Sequence, residues 1–240
     1  MQEVKKQLSL YKHITIPMIR LIQKTKYLIL LLLLAGLWMP AKLLSQQSEL
    51  FSKVSSNDLE GVKALVATGA DLNQREEYYN MTPLMWALNS NYTDMAKLLI
   101  NEGADIHLKA CNGATALLQA AMRSYEVTEL LLSKGADITT RSDKGTGAFT
   151  NCTMGIISGW VKTDLAELLL SKGAEINELN TTSCYGGYTP LFWAVEDNNE
   201  TLVKFLVDHG ANVNASANNG KSPLDIANGA GYESIIKLLK

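Results

Sequence analysis

The sequence predicts an all-α solenoid, a row of stacked helix-turn-helix units joined by β-hairpin-like finger loops. Three observations predict it. First, LLLSKGADI at 130–138 returns almost unchanged as LLLSKGAEI at 168–176, and related phrases close at Asn73 (LVATGADLN), His107 (LLINEGADIH) and Asn214 (FLVDHGANVN). Second, each is followed about a dozen residues later by another phrase: TPLMWAL from Thr82, TALLQAA from Thr115, GAFTNCT from Gly147, TPLFWAV from Thr189 and SPLDIAN from Ser222. Third, glycines keep the same beat at 69, 103, 135, 173 and 210. Two phrases alternating in this way are one unit repeated. A helical hairpin of this size buries its apolar face only by stacking on copies of itself.

Each element of the unit has a local cause. Thr or Ser before Pro starts the first helix: the hydroxyl caps free N–H groups, and proline suits the first helical position because its missing N–H had no partner there. Small residues at Ala87, Ala120 and Ala194 let a neighbouring helix approach closely. A few polar residues turn the chain into a second helix carrying the apolar triplet, as at Leu130, Leu131 and Leu132. Glycine after its last turn supplies the left-handed residue that stops it. The D-I-N that follows, then N-G or K-G, reads as an extended segment with a tight turn.

The pattern G-x-T-P-L-x-x-A-A followed by x-L-L-L-x-x-G-A-D-x-N, with a period of about 33 residues, resembles the ankyrin repeat. The resemblance covers residues 46–240 in register and divides an array spanning 45–240 into six units: 45–78, 79–111, 112–143, 144–183, 184–218 and 219–240. The first unit lacks its opening turn, as an N-terminal cap does. The last stops within its second helix at YESIIKLLK, where Glu233, Ser234, Lys237 and Lys240 supply the solvated face of a terminal repeat.

Two units break the beat. From the capping position to the leucine triplet is 16 residues in the units starting at Thr82 and Thr189, 15 at Thr115 and 21 at Gly147. Five residues are therefore extra within NCTMGIISGWVKTD, in the unit that has Gly147 and Ala148 in place of Thr-Pro. A further four lengthen the next finger, NELNTTSCYGGY. Solenoid insertions map to loops on one face, often the binding face; drift in a degenerate repeat is the other reading.

Residues 1–44 stand apart. Seven basic residues (Lys5, Lys6, Lys12, Arg20, Lys24, Lys26 and Lys42) face a single Glu3, and YLILLLLLAGLWM then runs apolar to Pro40. Its 13 residues fall short of the roughly 20 needed for a span and fit the apolar core of a secretory signal. Met18 offers a more ordinary start, which makes the leader 18–44. Ala41 and Ser45 are the weakly marked cleavage positions, and an uncleaved membrane anchor is the alternative. LLAGL has Leu37 where a lipoprotein needs its acylated cysteine, which excludes that route. Without the leader, residues 45–240 carry 15 basic and 23 acidic residues. That excess removes the basic footprint a nucleic-acid binder needs and suits a basic partner or simple solubility.

Chemistry is hard to find. Catalysis by a nucleophile needs a base and an orienting group beside it. The array has only His107, in place of the Asn of G-A-D-x-N, and His209 beside a helix-ending glycine. No phosphate loop, metal-spaced ligand set or paired-carboxylate motif is present, so no enzyme, cofactor or metal is expected. Cys111, Cys152 and Cys184 are odd in number and without C-x-x-C spacing. Cys152 falls at a small-residue helix position, and a bridge between Cys111 and Cys184 spans two repeats. The N-x-S/T triplets at Asn80, Asn91 and Asn180 read as capping chemistry.

Binding is what the resemblance implies. In ankyrin arrays the finger tips and the solvent side of the first helices form the concave recognition face. Carried over by position, this marks Tyr78, Tyr79 and Met81 with Asn89 and Ser90; Cys111, Asn112, Ala114, Met122 and Arg123; and Asp143, Lys144, Thr146 and Met154. It also marks Tyr185, Tyr188, Glu196 and Asp197, then Asn218, Asn219 and Lys221. The fourth unit's register depends on its insertion. Tyr78, Tyr79, Tyr185 and Tyr188 stand out, because tyrosine dominates interface hot spots; Trp86 and Trp193 fall at inward helix positions and read as core. The expectation is a monomeric, exported bacterial protein, periplasmic or secreted, that binds another protein as an envelope scaffold or protective factor. An inhibitor or immunity protein blocking a toxin or enzyme is the alternative. Membrane contact is expected only through an uncleaved leader.

Overall fold

In the computed structural model the described residues are 49–182 and 185–240, so the expected leader and Cys184 lie outside them. Leu50–Lys240 form one compact unit. Its helices come in six pairs. The first pair is α1, helical over 49–55, with α2, Leu59–Ala67. Then follow α3 (Pro83–Asn89) with α4 (Thr93–Asn101), α5 (Ala116–Arg123) with α6 (Tyr125–Ser133), and α7 (Ala148–Ile157) with α8 (Thr163–Ser171). The last are α9 (Pro190–Glu196) with α10 (Glu200–Asp208) and α11 (Pro223–Ala230) with α12 (Glu233–Leu238). No strand occurs among the described residues, and the fold is the expected all-α solenoid.

The first helices of successive pairs pack on one another from α3 through α11, and each packs on its own second helix. Ala87, Ala120 and Ala194 are fully buried where they allow that approach, as is Ala227. Cys152 takes the same position in the fourth unit, and burial pushes its thiol pKa up. It behaves as a small core residue, as the sequence suggested. One apolar cluster runs from Leu50 to Leu239, so the core is continuous along the stack. No described helix is long and apolar enough to cross a membrane.

The stops read from sequence hold. Gly69, Gly103, Gly135, Gly173 and Gly210 all have φ between 80° and 90°, a region closed to most side chains. The aspartate or asparagine two residues on folds back: Asp71, Asp105, Asp137 and Asn212 each accept from the backbone N–H two positions later. Where the phrase ends in asparagine, the amide also ties repeats together. Asn73 accepts from Asp105 N at 2.7 Å, and Asn177 from Asn212 N at 2.8 Å. His107 stands at the equivalent place, and no such bond joins it to Asp137 N of the next repeat among the described residues.

The helix starts hold only in part. Thr82 accepts from Met85 N, and Ser222 forms a full reciprocal cap with Asp225. Thr115 and Thr189 do not cap: their hydroxyls are buried with no protein partner. The third helical residue is apolar there (Leu118, Phe192) as it is after Thr82 (Met85), so the reciprocal box of Ser222 and Asp225 is confined to the last unit among the described helices.

The five extra residues of the fourth unit divide between helix and loop. α7 has 10 residues where α3 has 7, and five residues (158–162) separate it from α8 where three (90–92) separate α3 from α4.

Candidate protein-binding face

Five fingers project between helix pairs, numbered second to sixth after the helix pair each precedes, and each is closed by a backbone hydrogen bond. The pairs are Glu76 N to Met81 O, Ala110 N to Ala114 O, Ser142 N to Thr146 O, Asn180 N to Tyr188 O and Ala217 N to Lys221 O, all 2.8–3.0 Å. Neighbouring fingers are stitched by one more each: Cys111 N to Tyr79 O, Asp143 N to Asn112 O, Thr181 N to Lys144 O and Asn218 N to Gly186 O. The tips therefore form one continuous edge. Tyr79, Asn112, Asp143, Lys144 and Asn218, all marked in the sequence, sit on it together.

The second finger is held open by a carboxylate. Glu76 accepts from the backbone N–H of Tyr78 at 2.9 Å, of Tyr79 and, more weakly, of Met81. Partial burial pushes this carboxyl up, yet the backbone donors of Tyr78, Tyr79, Met81 and Asn80 outweigh it and hold the pKa below the usual range. Asn80 supplies the left-handed residue (φ 55°). Arg75 Nη1 clamps the tip, donating to Asn80 O at 2.9 Å and to Lys109 O of the next finger at 2.6 Å. Tyr78 ends 86 % exposed and Tyr79 57 % exposed on a turn with little freedom left.

The fifth finger is built differently. Tyr185 is 45 % exposed and leans on Trp193 at 4.8 Å between ring centroids. Tyr188, expected at the tip, is only 7 % exposed. It stacks on Phe192 at 4.6 Å and donates its hydroxyl to Glu196 at 2.8 Å. It belongs to a small core with Phe192 and Ala217, because the finger's closing bond to Asn180 turns the residue inward. Burial first, and the Glu196 carboxylate second, push its pKa up to about 12. Trp193 is partly buried, and its Nε1 has no acceptor among the described residues. Trp86 is likewise partly buried and meets Phe51 edge-on at 6.4 Å. Both tryptophans are thus packed against the core without being fully buried.

Other marked residues separate into two groups. Asn89, Ser90, Cys111, Asn112, Asp143, Lys144, Glu196, Asp197, Asn218, Asn219 and Lys221 are exposed; Met81, Met122, Arg123, Thr146 and Met154 are half-buried. Ala114 is buried and lends only its backbone to the third finger. Of the sequon asparagines, Asn80 and Asn91 are exposed at positive φ, whereas Asn180 is buried and caps Thr182 N.

Two features were missed from the sequence. Glu178 is 1 % exposed and reaches back 28–31 residues to the start of α7. Its carboxylate accepts from Gly147 N at 2.9 Å, Thr150 N at 2.8 Å and Thr150 Oγ1 at 2.6 Å, with Phe149 N at 3.4 Å. Arg141 pairs with it at 3.4 Å and with Glu175 at 3.0 Å. The other is Trp160, 47 % exposed on the insertion, whose ring lies 4.2 Å from the Arg123 guanidinium carbon. Gly155 lets α7 approach so closely that any side chain there would meet the Met122 carbonyl. On the opposite side α6 and α8 part around a groove of about 480 Å³ lined by Glu126, Glu129, Leu130, Ser133, Leu168 and Lys172.

Comparison with known proteins agrees with this geometry. The family model for ankyrin repeats (three copies) matches residues 50–142 and 156–240. The chain is 31 % identical over 173 residues to the ankyrin repeat protein FPV031 of Fowlpox virus (strain NVSL), across 71 % of this chain and 50 % of that one. It thus spans half the length of that relative. It is 28 % identical over 190 residues to the ankyrin repeat protein YahD of Escherichia coli (strain K12), across 76 % and 89 %. Among solved structures, the ankyrin repeat protein EF0377 superposes with a TM-score of 0.68 at 28 % identity, across 80 % of this chain and 96 % of that one.

Proposed function

Because the chain belongs to the ankyrin-repeat family, we propose that it is a non-enzymatic binding module that grips a partner protein through its finger edge and first helices. The observation carrying this is the display of aromatic surface. Tyr78, Tyr79 and Tyr185 are among the exposed large apolar side chains, all three on finger tips fixed by hydrogen bonds. Rigid, exposed tyrosines supply contact area at small entropic cost. The acidic excess of residues 45–240 favours a partner with a basic surface. The same excess supports the alternative, an inhibitor or immunity protein covering a basic toxin or enzyme, and the identity of the captured partner separates the two.

The test replaces Tyr78, Tyr79 and Tyr185 by serine and leaves Tyr188 in place, since it is core. Affinity capture followed by mass spectrometry identifies the partner. The triple variant should keep its circular dichroism and bind at least ~30-fold more weakly, the equivalent of one hot-spot tyrosine of about 2 kcal/mol. Lys134→Ser with Lys172→Ser, outside the fingers, should change little. A folded triple variant that binds as tightly as wild type removes the finger edge from the interface.

Export is the companion proposal, with an envelope scaffold or protective factor as the role. It is supported by the basic flank and 13-residue apolar run. N-terminal sequencing of the mature protein should begin between residues 42 and 46. A full-length product retained in the membrane would favour an anchor instead, and a cytosolic one would end the export reading.

A further inference from the structure

We infer that the Arg123–Trp160 pair is a built receptor for a single carboxylate side chain on the partner protein. The inference rests on the binding reading but on a different part of the surface. Three arginines lie among the described residues, and two are consumed by the fold. Arg75 spends its Nη1 on two finger carbonyls, and Arg141 is divided between Glu175 and Glu178. Arg123 is the third. Among the described residues its guanidinium has no hydrogen bond and no ion pair; its contact is the face of Trp160.

That contact fixes a position. A guanidinium whose carbon sits over an indole ring is held by cation–π attraction, and no N–H of Arg123 is spent on an acceptor among the described residues. A fork with its donors unspent matches the two oxygens of a carboxylate. The fourth unit's insertion supplies the platform. Its turn is made by Gly159 at φ 72°, with Trp160 N bonded to Gly155 O at 2.9 Å. Gly155 in turn seats α7 against the carbonyl of Met122, next to Arg123. The extra residues thus build a half-exposed tryptophan beside the one described arginine left unpaired. In a module with 15 basic and 23 acidic residues, one oriented guanidinium is also a register mark: an acidic side chain is repelled elsewhere and accepted here.

The protein contains four arginines, so [15N]arginine labelling of the full chain gives few Nε–H signals, and Arg123→Lys identifies the one of interest. Titration with sodium acetate should shift the Arg123 signal saturably. Sodium chloride at equal ionic strength should not, and the Arg75 and Arg141 signals should stay still. Trp160→Ala should abolish saturation while circular dichroism is unchanged. A shift shared by all arginines, one that survives Trp160→Ala, or a response to inorganic phosphate but not to acetate overturns the inference. In the capture experiment, Arg123→Gln should lower retention of the partner about tenfold or more, the scale of hydrogen bonds to charged groups. Loss of capture with the tyrosine variant alone, Arg123→Gln being harmless, overturns this inference and leaves the binding reading standing. Failure to capture any protein overturns both.

Discussion

The second and fourth units reach the same helical hairpin by opposite routes. In the second, everything needed is local: Thr82 caps Met85 N, Pro83 sits at the first turn, and a seven-residue helix follows. In the fourth, Gly147 has no side chain to offer and the helix is three residues longer. Its free N–H groups are satisfied by Glu178, which belongs to the leg of the next finger. A helix that cannot start itself thus takes its acceptor from the far end of its own unit, at the base of the next finger. The difference teaches how a solenoid tolerates a degenerate repeat: a helix start needs an acceptor, and stacking lets any neighbouring segment provide it. The next finger is anchored by Glu178 on one leg and Tyr188 on the other.

The largest effect should come from breaking the borrowed cap. Glu178→Ala leaves three buried N–H donors and the half-buried Arg141 without their carboxylate. Losing one partner of a buried pair costs about 3–5 kcal/mol; the residual exposure of Arg141 and its second partner Glu175 place this case near 3 kcal/mol. Thr82→Ala, the local equivalent, should cost about 1 kcal/mol. Urea unfolding of both variants checks the contrast, and Glu178→Gln should fall between them because it keeps one acceptor. If the two alanine variants unfold at the same urea concentration, the start of α7 does not depend on the base of the next finger.

What was legible in the sequence follows the same division. The repeat, its stops and the size of both insertions were readable because glycines, Thr-Pro pairs and leucine triplets act within a few residues of themselves. Thr115 and Thr189 were misread because the sequence shows a hydroxyl at the helix start but not where its rotamer turns it; Thr82 caps with an equally apolar third helical residue, Met85. Glu178, Arg141 and the Arg123–Trp160 stack were invisible for another reason. Their partners lie a whole repeat away, and no periodicity encodes which exposed-looking charge the fold will bury. A carboxylate at the position preceding an apolar Leu179 and a bare Gly147 one repeat earlier were the only traces. Tyr188 was placed at the tip because the four extra residues hide where the hairpin closes; the bond from Asn180 to Tyr188 turns it toward Phe192.

The smallest predicted effect concerns that second anchor. The Tyr188 hydroxyl is buried and donates to Glu196, so ionising it loses the hydrogen bond and sets a phenolate beside a carboxylate. Its folded pKa is raised to about 12 from the ordinary 10. A group raised in this way stabilises the fold fully below its unfolded value, and the contribution is lost as pH rises through 10 toward 12. Wild-type protein should therefore lose urea resistance over that window more steeply than Tyr188→Phe, which has no proton to release. Below pH 9 the variant should be slightly the weaker of the two, by about 1 kcal/mol for the missing hydrogen bond. The two curves should thus converge as pH rises. Parallel curves throughout would mean that the Tyr188 hydroxyl is not held in its contact with Glu196, and that the long finger lacks its second anchor.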